Sequence, residues 1–235
     1  MVSRKPLLPL LLLVLTALPA SAAVRAAAGA TAPARPAPPQ SAPAARPPLV
    51  VFLGDSLTAG LGLGESQAYP ALLANRLAAQ GRPIRIVNAG VSGDTTAGGL
   101  RRLDWLLRQR PDVMVVGLGA NDALRGAPLS EIDRNLREIV RRCRAAGAQV
   151  LLLGMRIPPN YGPDYTGGFR TLYQRIAKDL KVPLVPFLLE GVGGNPELNQ
   201  ADGIHPTAVG QRKVADTVLP YLRGVLEGAR AATGK

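Results

Sequence analysis

Five short runs, apolar in succession rather than by alternation, set the limits on what this chain can fold into. They lie at 49–53, 84–87, 113–116, 150–153 and 184–187. A strand with one wet face alternates apolar and polar side chains, whereas a continuous run suits a strand covered on both faces, as in a parallel sheet packed between helices. Between the runs, helical spacing predicts helices over 69–80, 96–110, 130–146 and 168–180, and a last one from Pro206 to about Glu227. Strands and helices alternating at these lengths predict an α/β domain, a three-layer α/β/α sandwich around a parallel sheet. In the third helix Ile132, Leu136, Ile139, Val140 and Cys143 share a face, which makes Cys143 a core thiol. Ser130, with Asp133 after it, resembles a capping box that would start that helix.

The chain begins differently. Arg4 and Lys5 precede an apolar run from Leu7 to Leu15, and Ala20-Ser21-Ala22 is a small-x-small cleavage pattern. The run is too short to span a bilayer, which needs roughly 20 apolar residues, so residues 1–22 read as a cleaved signal peptide and the protein as periplasmic or secreted. Residues 23–48 are mostly Ala and Pro with no aromatic residue, and read as a disordered linker. The folded domain is expected over 49–235.

The formal charge is +12, from 28 Lys and Arg against 16 Asp and Glu. Arg101, Arg102, Arg108 and Arg110 read as solvated helix faces, with weak contact to an anionic membrane surface as the sharper alternative. No basic strand interleaved with aromatic residues supports a nucleic-acid partner, and none is expected. One Cys and one His exclude a disulfide framework within the chain, and any zinc site that needs a pair of either residue. No metal and no cofactor are expected. Any His-dependent chemistry must use His205.

In an open parallel sheet, ligands bind beyond the carboxyl ends of the strands. Polar, small-residue segments follow the first three strands, at 54–60 (Gly-Asp-Ser-Leu-Thr-Ala-Gly), 88–95 (Asn-Ala-Gly-Val-Ser-Gly-Asp-Thr) and 117–122 (Gly-Leu-Gly-Ala-Asn-Asp), and a fourth, 202–206 (Asp-Gly-Ile-His-Pro), precedes the last helix. Ser56 could be a nucleophile or a helix-capping serine. His205 could be a base oriented by Asp202 or a loop histidine, with Pro206 opening the next helix. Joined, Ser56, His205 and Asp202 are the parts of an acyl-transfer triad. Backbone N–H groups at Ser56 and Gly93 and the Asn121 amide could receive an oxyanion. Thr58 stands where a G-x-S-x-G elbow needs its second Gly, so the ordinary α/β-hydrolase pattern does not apply. Asp55 and Asp122 are read as loop-holding carboxylates, and Asp94 as a cap for the helix beginning near Thr95. Leu61, Leu63, Leu124, Leu129 and Phe169 fit an acyl channel or core packing equally.

These four segments, in this order, resemble the signature blocks of the SGNH (GDSL) hydrolase family. They are most similar to its branch of periplasmic thioesterase I, lysophospholipase L1 and arylesterase enzymes. The resemblance extends over 49–228 and includes Pro-Pro-Asn-Tyr-Gly at 158–162. It implies a flavodoxin-like fold with five parallel strands and no metal or organic cofactor. It makes Ser56 the nucleophile, Asp202 and His205 its partners, and Ser56, Gly93 and Asn121 the oxyanion hole. It also places Leu124, Pro159 and Tyr161 on the substrate side. The implied activity is hydrolysis of carboxylic esters and thioesters, including aryl esters, acyl-CoA thioesters and lysophospholipids, with a monomer as the expected state. The alternatives are an acyltransferase using the same triad and a non-catalytic binder of lipid or cell-envelope material. The Ala/Pro linker departs from the family pattern. So does 190–199, which should border the acyl pocket yet is Gly-rich and lacks aromatic residues.

Overall fold

The computed structural model describes residues 46–233. The signal-peptide segment, and the linker up to residue 45, lie outside the described residues. Strand β1 spans Leu49–Gly54, β2 Arg85–Gly90, β3 Val113–Gly117, β4 Gln149–Leu153 and β5 Leu184–Val185. All pair in parallel, in the order β2-β1-β3-β4-β5. This is the doubly wound, flavodoxin-like order. The two central strands β1 and β3 are buried at every position, as their continuous apolarity requires. Strand β2 is one of the two edges, and it is also the strand that carries Arg85 and Asn88.

Helices α1 (Ser56–Ala59), α2 (Tyr69–Ala79), α3 (Thr96–Leu107), α4 (Ala120–Leu124), α5 (Leu129–Ala145), α6 (Pro163–Leu180) and α7 (Ala208–Thr233) complete the fold. The apolar face read along α5 is buried, Cys143 included, and burial pushes that thiol up to about 12. Burying each such aliphatic side chain contributes roughly 1.5–3 kcal/mol.

Several expectations need correction. The run at 184–187 yields only a two-residue strand, because Pro186 has no N–H to extend the ladder. Helix α6 begins at Pro163, not 168; Gly167 and Gly168 are helical positions. A Cβ on Gly168 would lie 2.6 Å from Leu129 Cδ1, so this glycine marks a close approach of α5 and α6. Helix α5 starts at Leu129 with no side-chain cap. Ser130 lies inside it, and Asp133 is ion-paired with Arg137 at 2.7 Å instead of closing a capping box. Pro206 does not open α7. It forms an isolated bridge with Asn199, and Thr207 Oγ1 accepts the Gly210 N–H at 3.2 Å in the capping position. No described helix is long and apolar enough to cross a membrane.

Candidate active site

Strand β1 delivers Ser56 as the first residue of α1. The capping residue is Asp55, whose Oδ1 accepts the Leu57 N–H at 3.0 Å. The capping alternative for Ser56 is therefore filled by its neighbour, and the Ser56 Oγ is left for another partner. That partner is His205, with Nε2 2.8 Å from Oγ. The other ring nitrogen, Nδ1, is 2.7 Å from Asp202 Oδ2. With the Nδ1 proton given to Asp202, Nε2 is the acceptor for the Ser56 hydroxyl. Asp202 Oδ1 in turn accepts the backbone N–H groups of Ile204 and His205, both at 3.0 Å. Those two bonds, followed by the imidazole, hold the Asp202 carboxyl down at about 2. Asp202 is thus a fixed anion facing an oriented imidazole.

The loops after β2 and β3 close the other side. Gly93 has φ +78°, a left-handed conformation that side chains other than glycine rarely adopt. Its carbonyl accepts Arg125 Nη2 at 3.0 Å. Asn121, in the first turn of α4, donates Nδ2 to the Asp94 carbonyl at 3.0 Å and to Asp55 Oδ2 at 3.3 Å. Asp122, read as a loop-holding residue, accepts Thr96 N–H at 2.8 Å and Thr96 Oγ1 at 2.6 Å, and Asn135 Nδ2 donates to the same Thr96 hydroxyl at 3.1 Å. Asp94 does not cap α3. Thr95 does, its Oγ1 accepting the Gly98 N–H at 3.1 Å.

Asp94 is instead bound by Arg102, which the sequence assigned to a solvated face. Arg102 donates Nε to Asp94 Oδ2 at 2.8 Å, Nη1 to the Ala89 carbonyl at 2.7 Å and Nη2 to the Gly54 carbonyl at 3.0 Å. It straps together the carboxyl ends of β1 and β2, beneath Ser56 and Gly93. Gln211, unremarked in the sequence, is buried and ties α7 to α1, the helix that Ser56 begins: its Nε2 donates to the Leu57 carbonyl at 3.1 Å, and its Oε1 accepts the Tyr69 N–H at 2.8 Å. No local pattern announces either residue, since their partners are distant in the chain.

A cavity of about 640 Å³ opens over these groups, with Ser56, Gly93, Asn121 and His205 in its wall. Leu61, Leu124, Met155, Ile157, Pro159, Phe187 and Leu189 make its apolar lining. Gly193, Gly194 and Asn199 also border it, where 190–199 was expected. Leu124 and Pro159 are therefore at the cavity. Tyr161 is not among the lining residues; its hydroxyl donates to the Leu124 carbonyl at 3.0 Å and holds that residue from behind. Phe169 is wholly buried in the core, and Leu129 packs against it. Asp55 also reaches the cavity wall, and burial raises its carboxyl to about 6 against the opposing pull of the Leu57 N–H and nearby His205. No cluster of metal-ligating side chains occurs among the described residues. A hydroxyl against an imidazole, an anion behind the imidazole, and amide donors across an apolar cavity are suited to acyl transfer.

The profile of the GDSL-like Lipase/Acylhydrolase family matches residues 52–213, and the chain belongs to that family. It is a hydrolase of carboxylic esters by class. Among relatives, esterase TesA of Pseudomonas aeruginosa is 49% identical over 184 residues, covering 78% of this chain and 90% of that protein. Thioesterase 1/protease 1/lysophospholipase L1 of Escherichia coli is 41% identical over 181 residues, covering 77% and 86%. Among solved structures, that of TesA superimposes with a TM-score of 0.73 at 47% identity, covering 75% of this chain and 99% of that one. The psychrotrophic esterase EstA from Pseudoalteromonas sp. gives a TM-score of 0.73 at 36% identity, covering 76% and 98%.

Proposed function

We propose that this protein hydrolyses carboxylic esters and thioesters through a covalent acyl-Ser56 intermediate. The observation that carries the reading is the 2.8 Å contact from His205 Nε2 to Ser56 Oγ, backed by Asp202 at 2.7 Å. His205 takes the Ser56 proton as Oγ attacks the acyl carbon, then returns it to the departing alcohol or thiol. Asp202 holds the imidazole tautomer and stabilises the imidazolium. The backbone N–H groups of Ser56 and Gly93 and the Asn121 amide receive the developing oxyanion. Water, activated by His205, then releases the acid and frees Ser56.

Aryl esters, acyl-CoA thioesters and lysophospholipids are the substrates we assign. The apolar cavity supports an acyl chain, and relatives are named as esterase, thioesterase and lysophospholipase. We assign the protein to the periplasm or the exterior from the reading of residues 1–22; the mass of the mature chain tests it, since processing removes those residues. The test of the chemistry is hydrolysis of p-nitrophenyl esters of increasing chain length by the unsubstituted protein and by Ser56→Ala. Turnover lost in the variant supports the reading, while equal turnover in both overturns it.

A further inference from the structure

Among the described residues, Arg156 is the one arginine or lysine in the cavity wall. Its guanidinium carbon lies 4.5 Å from the centroid of the Phe187 ring, which lines the same cavity. Stacking of this kind fixes the plane of the guanidinium while leaving its edge N–H groups free to donate. The nearest anion is Glu190, with Nη2 to Oε2 at 3.6 Å, too long for a hydrogen bond. Arg156 makes no hydrogen bond to another described residue. The other charged groups nearby have partners: Asp55 accepts from Leu57 and Asn121, Asp202 from His205, and Arg125 donates to the Gly93 carbonyl.

A planar cation, half-exposed and held by a ring, stands beside the apolar part of the wall with only Glu190 near it. The hydrolytic steps at Ser56 give it no task. Its fork geometry matches two oxygens of a phosphate. Resting on the ester-hydrolase reading above, we propose that Arg156 binds a phosphate carried by the substrate, so that phosphate-bearing acyl donors are preferred over neutral esters of the same chain. The phosphate can come from the headgroup of a single-chain phospholipid or from the nucleotide part of a coenzyme thioester. Glu190 then acts as a competing anion beside the same guanidinium.

The test compares three substrates with one acyl chain: dodecanoyl-glycerol, dodecanoyl-lysophosphatidylglycerol and dodecanoyl-CoA. Each is assayed with the unsubstituted protein, Arg156→Gln, Arg156→Lys and Glu190→Gln, after thermal unfolding has established that all four fold. In Arg156→Gln, the ratio of phosphate-bearing to neutral kcat/KM should fall roughly 10–100-fold, chiefly through KM, as expected for loss of a charge-assisted hydrogen bond. Arg156→Lys should keep part of the ratio, as a point charge without the fork. Glu190→Gln should raise it. A fall confined to one phosphate-bearing substrate identifies the source. A ratio unchanged in Arg156→Gln, with all rates lowered alike, would overturn the proposal and leave Arg156 as wall support for Phe187. Failure of the unsubstituted protein to hydrolyse any of the three would overturn the ester-hydrolase reading instead.

Discussion

The Asn121 amide donates to Asp55 Oδ2 at 3.3 Å as well as to the Asp94 carbonyl at 3.0 Å, so both of its protons already have acceptors before any substrate arrives. The longer of the two is the one an oxyanion can draw away, because the Asp94 contact anchors the amide while it does so. Asn121→Ala should therefore lower kcat by on the order of 10²–10³ with a smaller change in KM. Steady-state kinetics on a soluble ester checks this; a kcat within twofold of the parent excludes Asn121 from the oxyanion site.

Asp55 should leave a mark on stability as a function of pH. Its carboxyl ordinarily titrates at 3.8 and burial raises it to about 6. Between those values the folded protein retains a proton that the unfolded chain has released. Stability from this group is therefore full below the ordinary value and is lost as pH rises to about 6, by on the order of 3 kcal/mol. Asp55→Asn, which keeps an oxygen for the Leu57 N–H, should flatten that part of the profile. Urea unfolding of parent and variant across this window measures the difference directly; identical slopes would show that Asp55 keeps an ordinary titration.

Asp202 behaves in the opposite sense. Its carboxyl is lowered from 3.8 to about 2 by the backbone and imidazole bonds, so its contribution is present above its ordinary range and lost as pH falls toward 2. It stays ionised wherever an esterase is assayed. Asp202→Asn should reduce kcat by on the order of 10³–10⁴, by permitting the wrong imidazole tautomer. Kinetics with an activated ester and thermal unfolding together separate this from misfolding.

Arg102→Met removes three donated bonds and leaves the largely buried Asp94 carboxylate without its ion-pair partner, held only by the Thr95 N–H. The expected loss is about 2–4 kcal/mol in stability, with a fall in kcat because the Gly93 loop loses its brace. Urea unfolding and ester turnover at a temperature where the variant is folded read both effects. A stability loss below about 0.5 kcal/mol would place Arg102 with the ordinary surface arginines.

The sheet was legible because burial on both faces leaves no room for alternation: Leu49 to Leu53 cannot be placed elsewhere without exposing a continuous apolar run. That Ser56, Asp202 and His205 meet was legible because turn-forming residues mark the end of β1 and the approach to α7, and because a single His leaves one candidate base. What escaped depends on partners far along the chain. Arg102 looks like any helix arginine until Gly54 and Ala89 are brought to it, and Gln211 looks like any helix glutamine until Leu57 and Tyr69 are. Helix starts were misplaced at α5 and α6 for a local reason. Ser130 and Gly168 carry strong boundary signals, but packing between α5 and α6 overrides them.

The candidate nucleophile and oxyanion donors all come from residues up to Asn121, whereas base and orienting acid arrive together in one loop before α7. Within that loop Asp202 accepts the backbone N–H groups of Ile204 and of His205 itself. The division creates a seam through the candidate site, fastened by Gln211 to the Leu57 carbonyl and by Gln200 to the Leu61 carbonyl at 2.7 Å. On the proposed mechanism, opening that seam by a few ångströms would leave the Ser56 hydroxyl beside its amide donors with no proton acceptor, so the two glutamines set whether the site can turn over at all.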